Sequence, residues 1–375
     1  MPDKIAFIFK KGRKSRLSQN TSTGKFPSEF FYGYVQLKAQ GHDVSIIDEF
    51  DLNLVNKSNK VVRAIDHLTY SYFGLHFKTI LTLLSRKNLN TLNQFSTLVV
   101  TTNSLGFAFS FLKKFGFIKQ NILFIGMGVC DLMNNSVRKK SLEWLLKSIR
   151  TLVISKSELD YLNNTFIKND EIYYIPFGVD TNFWLPSKKD TTKESKYVLS
   201  IGNDLNRDYA TLISSWEDFF PLLKIITSLP ISSDKNNIEI ISGDWRSQLL
   251  SDNEMLELIQ NALFVVIPLK PTMQPAGQSV CLQSMACSKA VVISNIAGIW
   301  DKAELIDNKI IKLIPCNNID FLSKTIQTFL ANPKKVESMG KEARKIVEKN
   351  YYVETMAESI LFFVEESIQH QNNVI

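Results

Sequence analysis

The sequence predicts an α/β protein of two halves, each a doubly wound parallel sheet, and three observations carry this. Residues 263–301 read strand, loop, helix, strand, loop: apolar Leu263–Pro268, a Pro275-Ala276-Gly277 turn opening a helix that stops near Ser288-Lys289, then apolar Ala290–Ser294. That order is a parallel αβ unit. The N-terminus opens alike, with an apolar run Ile5–Phe9, a stripe of Phe30, Phe31, Tyr34 and Leu37 at helical spacing, a Gly41-His42 stop and a second strand Val44–Ile47. The length, 375 residues, gives a prior of ~2 domains.

A polar stretch of alternating charge around Pro186 divides the chain. The expected domains are 1–180, a linker 181–196, 197–350, and a terminal helix 351–375. In the first half the loop after Ile5–Phe9 is basic (Lys10, Lys11, Arg13, Lys14, Arg16), and Ser28 is placed to cap the helix behind Pro27. Helices are expected at Val61–Tyr72, Phe73–Leu84, Leu105–Phe117 and Leu142–Ile149, and strands at Leu98–Thr101, Ile122–Ile125, Thr151–Ser155 and Ile172–Ile175. Ser157 is read as the cap of a helix Glu158–Phe166. In the second half strands are expected at 197–201, 223–227, 238–242, 263–267, 290–294 and 309–313. Helices are expected at 208–216, 252–261, 278–287, 322–330 and 334–348, with amphipathic Met356–Ser367 closing the chain.

Composition is that of a globular protein with a core: 45% hydrophobic and 22% charged residues. A net charge of +7 favours an anionic partner, of which a sugar nucleotide or an acidic membrane surface is expected and nucleic acid is not. No apolar run approaches the ~20 residues of a spanning helix, and the chain opens directly on a strand. A cytoplasmic protein, peripheral on the inner face of the cell membrane, is the expectation. Cys130, Cys281, Cys287 and Cys316 show no C-x-x-C spacing, so neither a zinc site nor a redox pair is expected. GMGVCD, with Gly126 and Gly128, lacks the third glycine of a dinucleotide fingerprint, which argues against a nicotinamide-dependent dehydrogenase.

Ligands of such sheets sit beyond the carboxyl ends of the strands, near helix N-termini. Gly202 allows a tight turn after strand 197–201, and Arg207 on the following loop can grip two phosphate oxygens. Gly277 lets an anion approach the amides opening the helix at Gln278. Lys270 adds charge, and Ser279 and Gln283 share a helix face suited to ribose hydroxyls. Two halves of similar size suggest a cleft between two Rossmann-like domains.

Three segments, IPFGVDTNFW (Ile175–Trp184), SIGNDLNRDYATL (from Ser200) and PAGQSVCLQSMACSKAVVIS (from Pro275), together resemble the retaining glycosyltransferases of family 4, which have the GT-B fold. The resemblance covers the second half and the linker well. The first half fits loosely, through the Gly24 loop and the Gly41–Val44 turn. It implies a UDP-sugar donor, retention of configuration, no bound cofactor or required metal, and a C-terminal helix returning towards the first domain. Gln274 and Gln283 stand near the positions of the family's two glutamates, Asn203 replaces its usual arginine, and Arg207 is left as the matching cation. Arg207 and Lys270 are therefore the catalytic candidates. Gly202, Asn203, Gln274, Ala276, Gly277, Gln278, Ser279 and Gln283 are the donor-binding candidates, and Gly24, Gly126 and Gly128 the acceptor or cleft candidates.

The family includes glycolipid synthases, and the first half is basic and aromatic. Its expected acceptor is a membrane lipid, diacylglycerol first, with Lys10, Lys11, Arg13, Lys14, Arg16, Phe73 and Phe77 as membrane contacts. A transferase extending a lipopolysaccharide or exopolysaccharide, or a sugar-nucleotide-binding module without activity, are the alternatives. Oligomeric state is left open.

Overall fold

The structure is a computed structural model describing residues 4–10, 12–23, 26–54, 59–166, 171–187, 197–242, 250–307 and 310–372. Its contacts divide the chain into two compact units, 1–176 with 354–375, and 177–353.

In unit 1 the elements run β1 (Ile5–Phe9), α1 (Arg13–Thr23), α2 (Tyr34–Ala39), β2 (Val44–Asp48), α3 (Lys60–Phe73), α4 (Phe77–Leu83), α5 (Arg86–Leu92), β3 (Thr97–Val100), α6 (Asn103–Lys114), β4 (Asn121–Gly126), α7 (Ser136–Leu146), β5 (Arg150–Val153), α8 (Lys156–Thr165) and β6 (Ile172–Tyr174). The strands form one parallel sheet in the order β2-β1-β3-β4-β5-β6. β1, β3 and the apolar part of β4 are buried on both faces, so they read as apolar runs and not as alternations.

Unit 2 runs β7 (Tyr197–Ile201), α9 (Tyr209–Ser214), β8 (Leu222–Ile226), β9 (Ile238–Ile241), α10 (Asp252–Gln260), β10 (Ala262–Ile267), α11 (Gln278–Ala286), β11 (Val291–Ser294), α12 (Lys302–Asp307), β12 (Lys312–Ile314), α13 (Ile319–Ala331) and α14 (Pro333–Asn350). Its parallel sheet has the order β12-β11-β10-β7-β8-β9. Trp216, Phe220, Phe264, Leu322 and Ile326 fill one of its faces. The last helix, α15 (Val353–Asn372), packs in unit 1. Arg150, almost buried on β5, pairs with Glu366 at 2.9 Å and Glu171 at 3.3 Å, and Tyr173 meets Phe363 at 4.8 Å.

Several expectations are corrected. The basic segment is not all loop, because Arg13, Lys14 and Arg16 lie on α1. Its start is anchored from afar, where Asp48 accepts from the Gly12 amide at 3.1 Å and a second aspartate, Asp51, pairs with Lys14 Nζ at 3.1 Å. Ser28 opens only a 3-10 turn, Glu29–Phe31, without a side-chain cap bond, and its hydroxyl instead accepts from Gln36 at 2.9 Å. Gly74 (φ +74°) ends α3, so the helix expected at Phe73–Leu84 begins only at Phe77. The cap of α8 is Ser155, not Ser157, and it accepts from the Glu158 amide. β12 starts at Lys312, three residues later than expected, and α12 was not expected at all.

Candidate functional site

In unit 2 the carboxyl ends of β7 and β10 and the start of α11 meet around one side chain, Arg207. It is 5% exposed. Gly202 and Gly277 flank it: a Cβ on Gly202 would lie 1.8 Å from Arg207 Nε, and one on Gly277 would lie 2.9 Å from its Nη1. Both glycines are therefore room for the guanidinium, and Gly277, at φ +77°, is also the left-handed residue that opens α11.

The loop carrying Arg207 is pinned on both sides. Asp208 caps α9, while its own amide donates to Pro268 at 3.0 Å and the Lys270 amide donates to Asn206 at 2.8 Å. Gly202's carbonyl accepts from Tyr209 Oη at 2.8 Å and from Thr227 Oγ1 at 2.7 Å. Burial pushes the Tyr209 phenol up to about 12, outweighing the nearby Arg207 charge, which keeps it a neutral donor. Arg207 Nε lies 3.2 Å from Asp204 Oδ2, in ion-pair range but not aligned as a hydrogen bond, and Nη1 has no hydrogen-bond partner. A buried guanidinium with an open donor beside a helix start is an anion-binding arrangement.

The other donor-side candidates fall around this centre. Lys270 is exposed, with Nζ on the Leu205 carbonyl at 3.2 Å. Gln274 Oε1 accepts from Asn206 Nδ2 at 3.0 Å, a residue that sequence reasoning passed over. Asn203 turns to the Ser228 amide at 2.6 Å. The amides of Ala276 and Gln278 are spent on Gln274 and Pro275 carbonyls in the turn, and among the described residues no backbone acceptor meets the Gly277 amide. Gln278 and Gln283 are buried, and Ser279 is half-buried.

Residues 247–346 match the family described as Glycosyl transferases group 1. Among solved structures the chain is similar to sucrose-phosphate synthase from Thermosynechococcus elongatus, with a TM-score of 0.71, 16% identity, and coverage of 98% of this chain and 100% of that one. It is similar to Anabaena Alr3699/HepE in complex with UDP and glucose (0.65, 12%, 97% and 99%) and to a glycosyltransferase from Rickettsia africae (0.65, 14%, 97% and 98%). The fold is GT-B. Comparison with the curated proteins finds no match.

In the N-terminal GT-B unit, Gly126 ends β4, and Gly128 (φ +66°) follows it in a loop held by a residue the sequence did not single out. Glu158, wholly buried on α8, accepts from the amides of Gly128 at 3.2 Å and Cys130 at 3.3 Å. Burial raises its carboxyl to about 7, against the lowering effect of those amides. The only local signal was the S-x-x-E pattern from Ser155, which reads as a cap. Gly24 and Lys11 lie outside the described residues. Among the described residues no three His, Cys, Asp or Glu side chains gather as metal ligands, and no helix is long and apolar enough to cross a membrane.

Proposed function

We propose that this GT-B protein is a retaining glycosyltransferase that moves a hexose or hexuronic acid from a UDP-sugar to a hydroxyl acceptor at a membrane, diacylglycerol being the first to test. The observation that carries the donor half is the buried Arg207, with an open Nη1 between Gly202 and the α11 start. Charge grows on the diphosphate as the bond to the anomeric carbon breaks, and a preorganised guanidinium, helped by Lys270 and the Gly277 amide, stabilises it there. No resident metal is needed for that role. Anabaena Alr3699/HepE, of the same fold, binds UDP-glucose, which supports a uridine donor.

The membrane half of the proposal draws on α3. Val61, Ile65, Leu68 and Tyr72 stand one or two turns apart on one face, and all are exposed, Val61 at 66% and Tyr72 at 59%. Lys60 and Arg63 begin the helix, giving an apolar stripe beside cations, the pattern of an interfacial helix. Phe73 is exposed at the end of α3 but lies about a quarter-turn off the stripe, whereas Phe77 is half-buried on α4. The site would then work at the inner face of the cell membrane.

The experiment is UDP release from UDP-glucose, UDP-galactose and UDP-glucuronate with diacylglycerol in mixed micelles. Turnover with one donor, and a loss of about 10²–10³ in kcat for Arg207→Ala at unchanged melting temperature, is the expected result. Wild-type turnover in that variant would remove Arg207 from the mechanism. The glutamines at 274 and 283 favour one second reading, a binding module: tight UDP binding with no release from any donor would select it.

A further inference from the structure

Unit 1 has a cavity of its own, about 400 Å³, beyond the carboxyl ends of β1, β3 and β4. Lys10 borders it after β1, Thr102 and Ser104 after β3, and Tyr70 and His76 across from them, and among the described residues its wall contains no acidic side chain. His76 is held in a defined state. Its Nδ1 lies 3.1 Å from Asp66 Oδ2, and its ring stacks on Tyr70 at 4.5 Å. The other Asp66 oxygen accepts from the Lys78 amide at 2.8 Å, so the carboxylate is fixed as well. A carboxylate at Nδ1 keeps the proton there and makes Nε2 the acceptor. Nε2 has no partner among the described residues.

Beside the His76–Asp66 pair, two cations stand at or behind the wall without a carboxylate partner among the described residues. Arg138 lies behind Tyr70 and Gly74, 6% exposed, with its plane 4.9 Å from the Tyr70 ring. It donates to the carbonyls of Tyr70 and Leu132 and to Asn134 Oδ1, its Nε has no partner, and no carboxylate is in ion-pair range among the described residues. A guanidinium buried without a counter-ion is costly to desolvate, and an arriving anion offsets that cost. Lys10 likewise has no ion-pair partner among the described residues, and Thr102 Oγ1 is buried without a hydrogen bond.

We propose that this cavity seats the head group of the acceptor, and that the head group is a phosphorylated polyol. A hydroxyl donates to His76 Nε2, and the phosphate lies against Lys10 and Thr102 in the field of Arg138. This rests on the transferase reading and replaces diacylglycerol, its first acceptor to test, because diacylglycerol carries no phosphate to set against Lys10 and Arg138.

The test is titration calorimetry of the full chain with sn-glycerol 3-phosphate, glycerol and inorganic phosphate, beside binding to phosphatidylcholine vesicles containing either phosphatidylglycerol or diacylglycerol. Glycerol 3-phosphate is expected to bind at least about tenfold more tightly than glycerol or inorganic phosphate, and Lys10→Gln and His76→Gln each to weaken it about tenfold at unchanged melting temperature. Phosphatidylglycerol vesicles binding in place of the free head group, with the same loss in both variants, supports the lipid-borne source. Binding of both probes that ignores both variants overturns the proposal, and so does glycerol binding as tightly as its phosphate, or no binding of either probe. UDP affinity, measured separately, is expected to stay unchanged in both variants. Its absence from the wild type would sink the donor reading while leaving head-group binding itself intact, so the two failures are told apart.

Discussion

At the scale of single residues, unit 2's site is a matter of room. A methyl at position 202 cannot coexist with the Arg207 Nε that stands 1.8 Å from it. Gly202→Ala is therefore expected to expel the guanidinium and weaken UDP binding about tenfold or more, read by calorimetry, while the β7 core survives. Gly277→Ala adds backbone strain of roughly 1–2 kcal/mol at positive φ, so it should lower the melting temperature as well. Glu158 makes a prediction of opposite kind. Its carboxyl is raised from 4.5 to about 7. A carboxyl raised in the fold favours the protonated state, so its contribution is full below the unfolded value of 4.5 and is lost as pH climbs to about 7. The loss is on the order of 3 kcal/mol. Glu158→Gln, which cannot ionise, should flatten the fall in stability between those two values, measured by denaturant titration at several pH values. An unchanged slope would show that another group is responsible. Only part of this was visible in the chain as letters: Gly202, Arg207 and Gly277 could be picked out by type and spacing, whereas Asn206's bond to Gln274, Asp66's grip on His76 and Glu158's on the Gly128 loop join residues far apart in sequence or in different elements.

At the scale of elements, the strands were the most legible part, because buried parallel strands are plain apolar runs and the apolar stretches had nowhere else to go. Helix starts were less so where the stabilising group is not local. α1 has no Ser, Thr, Asp or Asn cap of its own and borrows Asp48 from the end of β2, so its basic residues read as loop. α10, by contrast, carries a complete capping box from Ser251 and Glu254 and begins at Asp252, as expected. The exposed stripe of α3 could be seen as helical periodicity, but periodicity alone assigns an apolar face to the core, and only the fold shows that α4 and α7 cover the other side. Replacing Val61 and Leu68 by serine should change stability by less than about 0.5 kcal/mol, since both are already in water. The same double variant should lose flotation with anionic vesicles at low salt, and retained flotation would take α3 out of the membrane proposal.

At the scale of the molecule, two sheets of six parallel strands followed from the order of elements. The return of the last helix came only from resemblance, since an amphipathic face does not name its partner. Arg150 shows how that partner is fixed: one buried guanidinium takes Glu366, the Phe363 carbonyl and Ser367 from α15, and Glu171 beside β6. Arg150→Ala should cost about 2 kcal/mol of charged hydrogen bonds and expose the C-terminus to limited proteolysis before unit 2 is cut. The same docking sets an order for synthesis. Unit 2 is a continuous segment, 177–353, interrupting a unit whose last piece is made after it. A ribosome adding ~5–20 residues per second therefore releases the sheet of unit 1 about 10–35 s before the helix that covers Arg150 emerges. During that interval unit 2 can fold on its own, while unit 1 waits with a charged, half-covered flank until α15 has been made.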